Sequence, residues 1–237
     1  MTLLRLSMLI ASLALTGCST LHLSAYTLEK DRFEPYNRKV YVFNDTIDQA
    51  VVKPTAQAYA NIVPAPAKTL VNNFFSNLDD VVVTANDVLQ LKFIQAASDG
   101  SRVIFNSTFG IFGLLNVTER LEKHNEDFGQ TLGYWGVPSG PYLVLPFWGP
   151  SSLRDTTGLG ADSFFSAISN TQHVPTRNSL YVMKVFNSRV NLLDQEKVLD
   201  DAIIDRYSFL RDAYLMHRQN LVYDGNPPRR KYDADEE

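Results

Sequence analysis

The sequence predicts a mainly α-helical protein, and two observations carry that expectation. Apolar residues recur at three- and four-residue intervals in several separate blocks, beginning with Tyr36, Val40, Phe43, Ile47 and Val51, a spacing that lines one face of a helix. Between these blocks lies a stretch too rich in breakers to be helical: residues 128–153 hold five glycines and four prolines, and each proline removes a helix donor and fixes φ. With 237 residues, 45% of them hydrophobic, the chain can bury a core as one domain or as two small ones.

Residues 1–17, MTLLRLSMLIASLALTG, carry one basic residue, Arg5, then an apolar run over 6–15 and small residues just before Cys18. This reads as a secretory signal, too short to cross a bilayer by itself. Cys18 is the sole cysteine, so neither an intramolecular disulfide nor a structural thiolate–metal site is expected. Leu15, Thr16, Gly17 and Cys18 resemble the lipobox of bacterial lipoproteins, whose cysteine becomes the first mature residue and carries a diacylglycerol thioether and an N-acyl group. At ~0.8 kcal/mol per buried methylene, two or more acyl chains anchor a protein essentially permanently. Ser19 in place of Asp favours, on the same resemblance, sorting to the outer membrane. Residues 18–33 read as the lipidated N-terminus and tether.

The first helix is expected to end at Lys53, because Pro54 disfavours the α conformation of its predecessor. Leu70, Val71, Phe74, Phe75 and Leu78 make a second apolar face. Asp79 or Asp80 can cap a third helix through Val82, Val83 and Val88 to Leu91, and a fourth covers 93–107. Beyond the broken stretch, Leu180, Tyr181, Val185, Leu192 and Leu193 mark a helix from about Thr176. Ile203, Tyr207, Leu210 and Tyr214 mark a last one, charged on its other faces and ending near 218. Residues 219–237 show no apolar period and are expected to be a disordered tail.

The middle of the chain is short of charge. From Phe128 to Thr176 only Arg154, Asp155 and Asp162 are charged, three in 49 positions, whereas 194–237 carry 18 in 44. Residues 103–118, VIFNSTFGIFGLLNVT, are likewise uncharged, and Gly110 and Gly113 interrupt them. Two readings stand. These segments are the core of a soluble domain, or they face acyl chains, with Phe109, Ile111, Phe112, Leu114 and Leu115 as one wall and Tyr142, Val144, Leu145, Phe147 and Trp148 as another. Broken backbone is tolerated in lipid only where protein buries it or where it lines a cavity, and Tyr and Trp favour the headgroup level.

The segments NRKVYVFN (37–44), VKP (52–54), NFFSNLDD (73–80), FNSTFGIFGL (105–114), FGQTLGYWGVPSGPYLVLPFWGPSSLRDTTG (128–158) and YSFLRDAYLMHR (207–218) resemble the MlaA (VacJ) family of outer-membrane lipoproteins over nearly all of 34–218. The resemblance implies a ring-like assembly of amphipathic helices lying in the outer membrane, with the Gly/Pro-rich segment lining a central path. It implies removal of misplaced phospholipid from the outer leaflet, beside trimeric porins, and delivery to a soluble, MlaC-like periplasmic carrier that serves an ATP-driven inner-membrane complex. One departure is Asn116, where the family usually has Asp.

On this reading the helix around Tyr41, Phe43, Asn44 and Ile47 seats the ring at its depth, and glycines 110, 113, 133, 136, 140 and 149 let backbone approach lipid. Arg154 and Asp155 are either an ion pair locking the start of the next helix or the polar end of the path, with Arg154 on a lipid phosphate. No phosphate-binding G-x-x-x-x-G-K-[ST] loop and no G-x-S-x-G elbow occurs in the sequence, and His22, His124, His173 and His217 are scattered. No cofactor or catalytic residue is expected beyond the acyl groups on Cys18, and no metal. The net charge of −4, without a basic cluster, argues against a nucleic-acid partner. A lipase and a porin-bracing lipoprotein that conducts no lipid are the rival readings.

Overall fold

The computed structural model describes residues 31–199 and 205–228. The leader at 1–17, Cys18, the tether up to residue 30, Ile203 and residues 229–237 lie outside the described residues. Helices dominate: α1 (Glu34–Ile47), a π-helical turn (Asp48–Val52), α2 (Lys53–Ile62), α3 (Ala65–Leu89), α4 (Phe93–Phe109), α5 (Phe128–Tyr134), α6 (Leu153–Phe165), α7 (Val174–Leu199) and α8 (Arg206–Val222), with an antiparallel hairpin of β1 (Tyr142–Leu145) and β2 (Gly149–Ser152) before α6.

Several boundaries differ from the sequence reading. Pro54 does not end the first helix: the chain passes through the π turn and Pro54 falls in the first turn of α2, where a missing N–H costs nothing. Asp79 and Asp80 cap nothing, because α3 runs unbroken for 25 residues through both. Residues 128–134 are helical despite Gly129 and Gly133. The Asp127 side chain accepts from Gln130 N–H at 2.9 Å, and the Asp162 carboxylate accepts from Phe128 N–H at 3.0 Å, which satisfies the exposed donors of this short helix. The last helix reaches Val222, four residues into the stretch read as tail.

One small apolar core joins α1, the hairpin and α8. Tyr142, Val144 and Tyr207 are buried against Val40, Tyr41, Tyr214 and Leu215, and the Tyr207 ring meets those of Tyr41 and Tyr142 edge-on at 5.8 and 6.3 Å. The Asp31 carboxylate accepts from Asn37 Nδ2 and from the Tyr207 hydroxyl, tying the start of the described chain to both helices.

Elsewhere the usual distribution is inverted. The buried residues of α3 are Phe75, Asn77, Asp80, Val83, Asn86 and Asp87, with Gln90 just past its end, and those of α4 are Ala96, Asp99, Arg102 and Asn106, so both inward faces are mostly polar. Asp80 accepts from Arg102 Nε at 3.1 Å and Lys123 Nζ at 2.6 Å, and Asp99 lies 2.6 Å from His124 Nδ1. Asn86 bridges Asp162 and Thr131, both at 2.8 Å, and so ties α3 to α6 and α5. Val88 and Leu91, two of the apolar residues that marked the third helix, are 47% and 58% exposed. Among the described residues nine hydrophobic side chains are buried against twenty polar or charged ones, and thirty-six large hydrophobics are exposed. A buried polar group or a large exposed apolar patch carries information that an isolated surface leucine does not, and here both occur throughout.

Candidate lipid-facing surface

The first wall sits where α4 ends. Ile111 and Phe112 adopt φ of 53° and 58°, followed by Gly113 at 87°, so three residues in a row are left-handed. Such a conformation costs a non-glycine residue ~1–3 kcal/mol, and a β-branched one is the rarest case. The turn is held by Phe112 N–H to Ser107 O at 3.1 Å and Gly113 N–H to Asn106 O at 2.9 Å. It drives Ile111 and Phe112 outward to 59% and 79% exposure, beside exposed Phe109 and Leu115, while Leu114 is half-buried. Gly113 has no freedom to approach lipid: a Cβ there would lie 2.6 Å from the Asn77 amide, so this glycine is required by the protein itself.

The second wall is the tip of the hairpin. Phe147 and Trp148 are about 70% exposed, and Phe147 also takes a positive φ of 66°. Tyr142 and Val144, assigned to this wall by the sequence, do not belong to it: strand alternation turns both into the core, at 5% and 2% exposure, and leaves Leu145 half-buried. The wall is completed from α1 instead. Phe43 meets Phe147 edge-on at 5.4 Å, and Tyr36, Lys39, Val40 and Phe43 line a cleft of 430 Å³ with Pro146 and Phe147.

Two asparagines of α1 fasten this hairpin. Asn37 Nδ2 donates to Tyr142 O at 3.0 Å and its Oδ1 accepts from Val144 N–H at 2.8 Å. Asn44 Nδ2 donates to Leu145 O at 2.9 Å and its Oδ1 accepts from Phe147 N–H at 2.8 Å. Of the four residues assigned to the seating helix, Tyr41 packs on Tyr207, Phe43 and Asn44 hold the hairpin tip, and Ile47 is half-buried at the start of the π turn. The Arg189 fork grips Asp48 with two bonds of 2.8 Å there, and π turns of this kind are frequent at functional sites.

Arg154 and Asp155 are buried in the first turn of α6. Arg154 Nε donates to Asp155 Oδ1 at 3.1 Å and Nη1 to Val137 O, and Ser152 caps the helix by accepting from Asp155 N–H. Arg218 of α8 reaches the same carboxylate through Nε at 3.1 Å and Nη2 at 2.9 Å, and at once forks onto Asp127, the cap of α5. The Tyr214 hydroxyl adds a bond of 2.7 Å. One cation therefore clamps the N-termini of two helices. Burial alone would raise both carboxyls, but the Arg218 guanidinium holds Asp127 and Asp155 below the usual carboxylate range. Buried at 8% exposure and turned onto Asp155 and Val137 O, Arg154 has the geometry of a structural ion pair. The partners Asp127, Tyr214 and Arg218 escaped the sequence reading because 59 to 91 residues separate the bonded groups.

Asn116 is in an Asx arrangement: its Oδ1 accepts from Thr118 N–H at 3.2 Å and Thr118 Oγ1 at 3.0 Å. A carboxylate oxygen accepts the same two bonds, so replacing Asp by Asn here forfeits no partner. Among the described residues no helix is long and apolar enough to cross a membrane, and no group of His, Cys, Asp and Glu is arranged to hold a metal ion.

The fold and surface define a helical protein with a polar interior and an aromatic exterior. The chain belongs to the MlaA lipoprotein family, whose model matches residues 29–221. It is 33% identical over 234 residues to the intermembrane phospholipid transport system lipoprotein MlaA of Escherichia coli K12, covering 94% of this chain and 90% of that one. The protein of the same name from Haemophilus influenzae is 29% identical over 231 residues, covering 93% and 90%. A solved structure described as the structural basis for maintenance of bacterial outer membrane lipid asymmetry superimposes with a TM-score of 0.72 at 29% identity, covering 83% of this chain and 99% of that one.

Proposed function

We propose that this protein is an outer-membrane lipoprotein, anchored through acyl groups on Cys18, that removes misplaced phospholipid from the outer leaflet through an amphipathic path and passes it to a soluble periplasmic carrier. The carrier serves an ATP-driven complex of the inner membrane, and trimeric porins stand beside the ring of helices. The protein itself performs no covalent chemistry. The relatives named above, which are phospholipid-transport lipoproteins, support the substrate class.

The observation that carries the reading is the inversion of polarity. In water, Ile111 and Phe112 lose twice over, once through a left-handed backbone and once through exposure. Against acyl chains the exposure penalty disappears, while buried side chains such as Asp80, Arg102, Asn86 and Asp155 pair with polar partners inside. Transport sets the same requirement. Two tails of about 15 methylenes, at ~0.8 kcal/mol each, resist exposure to water by roughly 24 kcal/mol. Any route for phospholipid must keep them covered and yet admit a polar head.

The test is a charge placed on the first wall. Phe112→Glu, at an exposed position that packs against little, leaves folding and porin cross-linking intact and raises the amount of outer-leaflet phospholipid accessible to an added phospholipase. Unchanged asymmetry overturns the transport reading in favour of a brace, and free fatty acid released by the purified protein overturns it in favour of a lipase.

A further inference from the structure

The structure supplies an unclaimed charge pair next to the first wall. Leu121 N–H donates to Thr118 O at 2.9 Å and closes the turn 118–121, which puts Glu119 and Arg120 at its two corners, both exposed. The base of the turn is pinned: the Thr118 hydroxyl shares its one proton between Asn106 Oδ1 at 3.1 Å and Asn116 Oδ1 at 3.0 Å, and buried Arg102 donates through Nη1 to Leu121 O at 3.2 Å. Among the described residues neither the Glu119 carboxylate nor the Arg120 guanidinium has a hydrogen-bond or ion-pair partner.

These two side chains rim a cleft of 620 Å³ whose floor is apolar. Phe105 and Phe109 stack there, 6.0 Å between centroids at 21°, with Val117 and Leu121 beside them. The rings are 46% and 67% exposed, and Phe109 continues into Ile111 and Phe112. A volume of this size is within the range of small-ligand sites. It combines a greasy floor with a cation and an anion on adjacent residues, a pattern that complements a ligand with hydrocarbon, a phosphate and an ammonium in that order.

We propose that this cleft holds a zwitterionic phospholipid of the phosphatidylethanolamine type, with its phosphate on Arg120, its ammonium on Glu119 and its first methylenes over Phe105 and Phe109. The inference rests on the transport reading and adds a headgroup preference to it. The guanidinium fork matches phosphate geometry. Glu119 is the element that discriminates: it attracts the ammonium of ethanolamine by charge, whereas an uncharged glycerol head offers it only neutral hydroxyls. The upper part of the range of exposed ion pairs, ~0.4–1 kcal/mol, corresponds to a preference of about two- to fivefold.

The experiment uses the full-length lipoprotein, with p-benzoylphenylalanine in place of Phe109, in vesicles of equal parts phosphatidylethanolamine and phosphatidylglycerol. After irradiation the cross-linked lipids are counted by mass spectrometry. Phosphatidylethanolamine is expected in about two- to fivefold excess. Glu119→Gln abolishes the excess, Arg120→Gln lowers the yield of both lipids, and excess soluble phosphorylethanolamine leaves the yield unchanged. Equal yields in the unsubstituted turn, or an excess that survives Glu119→Gln, overturn the proposal, and so does displacement by the soluble headgroup, which marks a phosphate site rather than a lipid site. The readout needs no cell and no transport. Failure of the asymmetry test with a retained excess therefore strikes the transport reading alone, and the converse strikes the cleft alone.

Discussion

Asn37 and Asn44 stand two turns apart on one helix and each closes a two-bond bridge to the same stretch of strand backbone. Seven residues of helix rise about 10.5 Å, and the two bridges are centred three strand residues apart, about 10 Å. The two periods match, so a pair of amides on α1 fixes the register of the hairpin as an adjacent strand would.

Removing these amides separates folding from function. Asn37 is fully buried, and Asn37→Ala leaves a strand carbonyl and a strand N–H unpaired, a loss of about 1–3 kcal/mol that thermal unfolding records. Asn44→Ala frees only the tip. It costs less than 1 kcal/mol, and hydrogen exchange shows faster exchange at the Phe147 amide with protection of the Val144 amide retained.

Arg218 is the clamp with most to lose. Arg218→Gln removes the only cation that half-buried Asp127 meets among the described residues and leaves buried Asp155 with Arg154 and Tyr214, a destabilisation of up to about 3–5 kcal/mol. Arg218→Lys is nearly as damaging, since one ammonium cannot fork onto two carboxylates. Chemical denaturation of the three proteins orders them as native, Lys, then Gln.

Stability falls off on both sides of an optimum in pH. Asp127 and Asp155 are held low in the folded state, so the stability they contribute is present above the unfolded value near 3.8 and is lost as pH falls through their folded values. Asp87 has the opposite sign. It is fully buried with both oxygens unpartnered. Burial and, secondarily, the Asp99 and Glu126 carboxylates push it up to about 7, against the smaller pull of His124 and Lys92. Its folded form binds more protons than the unfolded one between about 4 and 7, and stability declines as pH rises through that window. Asp87→Asn is expected to flatten this limb and leave the acid limb in place.

The left-handed turn is expected to store strain that substitution can release. Ile111→Asn, a residue that tolerates this conformation, raises the stability of the detergent-solubilised protein by up to about 1 kcal/mol while weakening its partition into vesicles. Gly113→Ala does the reverse to the fold: its Cβ collides with Asn77, and the unfolding midpoint drops.

The helices were legible because amphipathic spacing survives inversion: α3 and α4 keep a helical period, with Asp80, Asp87, Asp99 and Arg102 on the buried face, where apolar groups ordinarily sit. The side on which each face lies was not legible. An apolar stripe at helical spacing looks the same whether it meets a core or a solvent of hydrocarbon, so the period that placed Val88 and Leu91 on a helix could not say that they face outward. The hairpin was visible only as a run of breakers, and its two inward residues, Tyr142 and Val144, were indistinguishable from their outward neighbours until β1 acquired a register. The Arg218 clamp depends on pairings between distant segments that no local pattern encodes.

A polar interior also sets the thermal character of the fold. The large heat capacity of unfolding in ordinary proteins, ~12–15 cal/mol/K per residue, comes from apolar groups entering water, and polar groups entering water subtract from it. A chain whose interior is largely amide, carboxylate and guanidinium, and most of whose phenylalanines are already outside, has less of the first and more of the second. Its stability curve is correspondingly shallow: warming and cooling alter it gradually, and its resistance to heat tracks the enthalpy of its internal hydrogen bonds rather than the ordering of water.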